Sequence, residues 1–108
     1  MAQDYVKLNE DEGNGMIAIN KSVFQAIAEI SVEEIENAVA LPATKFSRPL
    51  QVKIENNHLH FEVDLNIRYG ANVQQTCELV QNKIYENVLF MTGFKTTETK
   101  VNVRGFEI

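Results

Sequence analysis

A lone cysteine, a strand-spaced set of histidines and carboxylates, and a glycine-flanked turn are the groups in this chain whose types could do chemistry. Cys77 could act as a nucleophile, which requires exposure and nearby positive charge to hold the thiolate. It falls instead between Val73 and Val80 on an apolar helical stripe, and neither His58 nor His60 is near it in sequence. The spacing predicts a buried, inert thiol. One cysteine also leaves no intramolecular disulfide and no cysteine-built metal cage. His58, His60, Glu62 and Asp64 recur at every second position, so on a strand they share a face. Imidazole and carboxylate together suit a transition metal. Strand residues two apart, however, are roughly 7 Å apart and cannot converge without help from another element. With Lys53 expected opposite His60 and Gln51 opposite Glu62, a solvated face of mixed charge is the simpler reading. Gly13-Asn14-Gly15 precedes a strand and does not join a strand to a helix, so it lacks the context of a phosphate-binding loop. No acid, base and nucleophile fall together. The expectation is a protein with no catalytic residue, no cofactor site and no metal site, working by contact with other macromolecules.

Composition narrows the class of partner. The 108 residues give room for one domain, and 44% hydrophobic with 23% charged residues is ordinary globular composition. The formal net charge is −5, and the ten Lys and Arg residues are scattered singly. A phosphate backbone would be repelled by that balance unless a basic stripe existed. The glycine loop of KH domains and the aromatic strand signature of RNA-recognition motifs are both lacking, so no nucleic-acid partner is expected. The opening residues are polar and acidic, unlike a signal peptide. No apolar run approaches bilayer-spanning length, so direct membrane insertion is not expected and a reducing cytoplasm is the expected compartment.

The elements that must position these groups follow from periodicity. Residues 1–13, with Asp4, Glu10, Asp11 and Glu12, are expected to be a flexible acidic tail, leaving 14–108 as the domain. A short strand carries Ile17 and Ile19 on one side, Met16 and Ala18 on the other. Asn20, or Ser22, caps a helix over about 21–36 whose inner face is Phe24, Ile27, Ala28, Ser31 and Ile35. Asn37 ends it in a left-handed conformation, and 38–49, with Pro42 and Pro49, forms an irregular connection. Leu50, Val52 and Ile54 then alternate with polar residues up to Asn56-Asn57, a two-residue turn tolerant of positive φ. Leu59, Phe61, Val63, Leu65, Ile67 and Tyr69 continue the alternation. A two-residue loop pairs Ile54 with Leu59, Val52 with Phe61 and Leu50 with Val63, so turn and pattern agree on one register.

Gly70 closes that strand, and Asn72 to Gln75 resembles a capping box. The second helix has the stripe Val73, Cys77, Val80, Ile84, Val88 and Met91. Gly93 ends it, with Phe94 expected to fold back on Leu89 in a Schellman motif. A last strand over about 98–106 points Thr99, Val101 and Val103 inward, Lys100, Asn102 and Arg104 outward. The order β-α-β-β-α-β predicts an α+β domain: a ferredoxin-like split βαβ, or a close variant, with two helices on one face of an antiparallel sheet. Leu79 and Phe90, eleven residues apart, line up on a face away from the inner stripe. They are covered either by the long connection or by another molecule, which makes them the candidate partner-facing residues.

Several strings resemble the alkaline shock protein family, the Gls-like general stress or envelope stress response proteins of Gram-positive bacteria. They are residues 15–19 (Gly-Met-Ile-Ala-Ile), Val23, Ile27-Ala28, Tyr69-Gly70, Val80-Gln81 with Val88, Met91-Thr92-Gly93, and residues 101–105 (Val-Asn-Val-Arg-Gly). Asn37-Ala38 departs from the family's usual Gly-Val, Thr99 stands where valine is common, and no extended charged tail is present, as in a short member. The resemblance implies a non-enzymatic scaffold of cell-envelope homeostasis that forms homo-oligomers and binds other proteins. Among relatives such a partner is a small membrane-anchored protein that holds the chain at the inner membrane face. The alternative it implies is a regulatory partner of an enzyme of fatty-acid or lipid metabolism. No catalytic or cofactor residue is carried over.

Overall fold

The computed structural model describes residues 3–8, 15–95 and 98–108. Gly13, Asn14 and the acids Glu10, Asp11 and Glu12 lie outside the described residues. The central hairpin has the expected register. β4 (Leu50–Glu55) and β5 (His58–Arg68) are joined by Asn56 and Asn57, both left-handed at φ 50° and 60°. Leu50 pairs with Val63, Val52 with Phe61 and Ile54 with Leu59, and all six side chains are buried. The two positive-φ residues match the twist of the flanking strands, which fixes which side chains reach the core.

Helix α1 (Lys21–Glu33) packs over β4, and helix α2 (Val73–Thr92) packs beside it over the last strand, residues 98–107, on the same apolar face of the sheet. Phe24, Ile27, Ala28, Ser31 and Val32 of α1 are buried. The helix stops three residues short of the expected end. The Glu34 amide donates to the Ile30 carbonyl, and tighter turns run from Ile35 to Val32 and from Ala38 to Ile35. Asn37 is not left-handed, because its carbonyl accepts from the Arg68 amide at 3.0 Å and continues the pairing beside β5. In α2 the Asn72 side chain accepts from the Gln75 amide at 2.8 Å. Gly93, at φ 76°, donates to the Leu89 carbonyl at 2.8 Å. That single bond is the simpler left-handed ending, not the Schellman pair. Phe94 packs on Phe24 of α1, with ring centroids 6.0 Å apart.

The α+β class with two helices on one sheet face holds, and the strands differ from expectation in three ways. Residues 5–8 of the expected tail form β1 (Tyr5–Leu8), paired antiparallel with β2 (Ile17–Asn20), and Val6 is fully buried. Asn57 clasps this strand, accepting from the Lys7 amide at 3.0 Å and donating to the Lys7 carbonyl at 3.2 Å. Residues 38–40 of the expected irregular connection form β3 (Ala38–Ala40), which pairs antiparallel with the half of β5 that β4 does not reach. Finally, β6 (Glu98–Glu107) lies parallel to β5 and directly beside it. In a split βαβ sheet the first strand fills that slot. Here β2 pairs away from it, so the β5–α2–β6 crossover returns to the adjacent position, which makes the pair parallel.

Candidate functional site

The strand-spaced histidines and carboxylates do share the outer face of β5, and their neighbours occupy them. His60 faces Lys53 on β4, and its Nδ1 lies 3.3 Å from Glu98 Oε1 on β6. Asn102 Nδ2 donates to Glu62 Oε2 and to Asp64 Oδ1, each at 2.8 Å. Arg104 forks onto Asp64 Oδ2 through Nε at 3.2 Å and Nη2 at 3.1 Å. Glu62 faces Gln51 on one side and Lys100 on the other, the latter at 4.0 Å. Each carboxylate is thus matched by a donor from a neighbouring strand. Among the described residues no three His, Cys, Asp or Glu side chains are grouped to hold a metal. The face is a lattice of cross-strand pairs, each exposed pair worth only a few tenths of a kcal/mol to ~1 kcal/mol.

Cys77 is partly buried against the core, and burial pushes its thiol above the ordinary range. That is opposite to the shift an activated nucleophile needs. Polar contacts of another kind stitch the helices together. The buried Ser31 Oγ donates to the Ile27 carbonyl at 2.7 Å and accepts from Asn87 Nδ2 of α2 at 2.9 Å. Asn87 also donates to Glu34 Oε1 at 3.1 Å. This link, with Phe24 on Phe94 at the other end, sets α1 and α2 antiparallel and fixes which faces turn to solvent.

Leu79 and Phe90 are on such a face. Leu79 is 48% and Phe90 90% exposed, and the 38–49 connection does not cover them. The stripe assigned to the core of α2 is shorter than periodicity implied. Thr76, Val80, Ile84 and Val88 are buried, whereas Val73 (37%) and Met91 (62%) are exposed. Both keep the phase of the stripe but sit at the ends of a 20-residue helix, beyond the cover of the sheet and α1. Tyr69, assigned inward, is also exposed, because β5 ends at Arg68. Sequence reasoning missed Val23 and Ile30 of α1, which are 42% and 52% exposed. Ile30 adjoins Ser31 and Phe90 lies one turn beyond Asn87, so both flank the solvent side of the helix seam. A helical projection of α1 of the kind applied to α2 would have found them.

A cleft of about 390 Å³ also opens between α1 and the 41–49 connection. Val32, Leu50 and Val63 line its floor, and Glu29, Glu33 and Arg48 stand at its mouth. Its wall is the connection itself, so nothing in the periodicity of the sequence could have located it.

A family model, the alkaline shock protein 23 family with cell envelope-related function, matches residues 9–108. The chain belongs to this family. Its function is accordingly cell envelope-related. No curated protein and no solved structure is detectably similar to it. Among the described residues, no helix is long and apolar enough to cross a membrane.

Proposed function

We propose that this family member is a non-catalytic component of cell-envelope homeostasis that acts through protein–protein contact and self-association, with Leu79 and Phe90 facing the partner. The observation that carries the reading is the 90% exposure of Phe90 on a helix whose inner stripe, Val80, Ile84 and Val88, is fully buried. Leaving a phenylalanine in water forgoes roughly 1.5–3 kcal/mol of burial. A polar helix former would cost the fold nothing at that position. Leu79, three turns away beyond Lys83 and Glu86, and Ile30 of α1 are further exposed apolar side chains on the helices, so the helix face offers separate anchors to an apolar partner surface. A partner anchored in the membrane would bring the chain to the inner membrane face without any spanning segment of its own.

Affinity capture from detergent-solubilised cells, with wild type and Leu79→Ser/Phe90→Ser compared, tests this. The double variant is expected to keep its circular dichroism spectrum and lose most of the captured partner. Equal capture by both proteins would refute the patch. Recovery of an enzyme of lipid metabolism, and not a membrane-anchored protein, would replace the scaffold with a regulatory subunit.

A further inference from the structure

The outer edge of β6 is a ten-residue strand edge to which, among the described residues, no strand is paired. Such an edge is a template for another chain unless it is guarded. Backbone parity shows which groups it presents. Beyond the bulge at Arg104, the Glu107 carbonyl turns toward β5 and accepts from the Tyr69 amide. Counting back through the bulge, Glu98, Lys100 and Asn102 turn their backbone groups toward β5, whereas Thr99, Val101 and Val103 turn theirs outward. The Thr99 carbonyl agrees, since it accepts from Gln81 Nε2 of α2 at 3.0 Å. The side chains of the outward-turned residues lie on the apolar face, where Val101 and Val103 are only partly buried against the core.

We propose that a second copy of this chain pairs antiparallel along this edge, with Val101 on the two-fold axis, so that the two sheets become one. This rests on the self-association proposed above and supplies its surface. Charge complementarity selects the occupant and the register. With the axis at Val101, Glu98 faces Arg104 of the other copy twice, Lys100 faces Asn102, and Thr99 faces Val103. Acid meets base and no like charges oppose, which is what cross-strand pairs require, the Glu98 and Arg104 side chains sharing these contacts with His60 and Asp64 of their own copy. Moving the axis to Asn102 sets Lys100 against Arg104, and moving it to Lys100 sets that lysine against itself. An axis at Val103 sets the outward-turned Val101 against Gly105, whose backbone groups turn toward β5 beyond the bulge at Arg104. Val101 is the midpoint of 98–104, so the bulged Arg104 is met only by the side chain of Glu98 at the end of the pairing. Three outward-turned pairs, 101 with 101 and 99 with 103 in both directions, would exchange about six main-chain hydrogen bonds. The Thr99 carbonyl has a second lone pair for its share.

The test uses the full chain in a Cys77→Ser background. Val101→Cys places two thiols across the axis, at about 5.5 Å between Cα atoms, within disulfide reach. Mild oxidation is expected to give a covalent dimer. Val103→Cys places its thiols four residues out of register, roughly 13 Å apart, and is expected to stay monomeric on denaturing gels. Without oxidant, sedimentation should show wild type as a dimer. Val101→Pro, which removes an outward N–H with no partner among the described residues, should dissociate at least tenfold more readily with its fold intact. Wild-type dimers that Val101→Pro leaves unchanged, or equal cross-linking by the two cysteine variants, would overturn this edge while self-association stands. A wild type that is monomeric at high concentration would remove both. A Val101→Cys thiol that cross-links in lysate only to a different protein would overturn the second copy as occupant.

Discussion

Val6 is the residue at which the acidic N-terminal region is either a tail or part of the fold, and replacing it with alanine decides which. The side chain is fully buried and joins the same core as Phe24, Ile54 and Leu59. Val6→Ala removes two methyl groups at about 0.8 kcal/mol each. The residual cavity raises the loss to roughly 2 kcal/mol where the site cannot collapse. Unfolding entropy of about 2.1 cal/mol/K per residue over 108 residues is about 0.23 kcal/mol/K. The expected fall in Tm is therefore about 9 °C. Urea unfolding should give the same loss with an unchanged slope, since the surface exposed barely alters. Lys7→Ala on the same strand is the control, because its side chain is exposed and its amide and carbonyl are held by Asn57 through the backbone alone. It should stay within about 0.5 kcal/mol of wild type. If Val6→Ala shifts Tm by no more than Lys7→Ala, β1 contributes nothing to the core and the description of it as part of the fold is wrong.

Two further predictions concern the helices. Ser31→Ala removes a buried hydroxyl bonded both to Ile27 and to Asn87 and is expected to cost about 1–2 kcal/mol. In a double-mutant cycle with Asn87→Ala the coupling should be about 0.5–1.5 kcal/mol, and strictly additive losses would mean that the two side chains do not interact. Cys77, its thiol pushed up by burial, should react with DTNB at pH 8 at least tenfold more slowly in the native protein than in the urea-unfolded chain. Above about pH 8.5 the unfolded thiol ionises first, so the unfolded state binds fewer protons and stability falls as pH rises. Cys77→Ala should lack that component of the slope, and an unchanged slope would contradict it.

The hairpin was legible because two independent constraints coincide there. Alternation over β4 and β5 fixes which residues are apolar, and a two-residue Asn-Asn loop fixes which of them meet. The termini of α2 were legible for the same local reason, since Asn72 and Gly93 act on backbone within their own turn. What escaped was decided at a distance. The sequence Tyr-Val-Lys-Leu at 5–8 alternates, but it is short and lies beside acids. β2, the clasp of Asn57 and the bridge from Gln3 to Ile54 make it a strand. Ala-Val-Ala at 38–40 has weak strand propensity and two prolines follow it. It is extended because β5 is longer than β4 and leaves part of one edge to fill. The parallel placement of β6 depended on whether an earlier strand took the slot beside β5, which no local signal records. Leu79 and Phe90 could be placed together from spacing, but whether the connection covered them was a tertiary question.

Besides the cleft beside α1, three surfaces differ in what they can recognise. The outer sheet face is largely spoken for, its carboxylates matched to Asn102, Arg104 and Lys100. A charged ligand there would have to displace pairs already made. The β6 edge offers main-chain groups with a self-complementary charge order. The helix face offers apolar side chains, and the charged residues beside them are Lys83 and Glu86 of α2 and Glu34 at the helix seam. That acidic setting bears on how an envelope-related function is reached. Anionic lipid headgroups attract basic segments at about 1 kcal/mol per cation and repel acidic ones. A chain of net charge −5 whose exposed helix residues have Glu34 and Glu86 beside them against a single nearby Lys83 is poorly suited to an anionic lipid surface. The same patch suits a protein groove, where apolar anchors can be buried at the centre while glutamates remain solvated at the rim. If the route to the membrane runs through another protein, the wild-type chain should stay unbound to anionic vesicles at physiological salt. Binding that persisted after Leu79→Ser/Phe90→Ser would place the contact on lipid and remove the need for a partner.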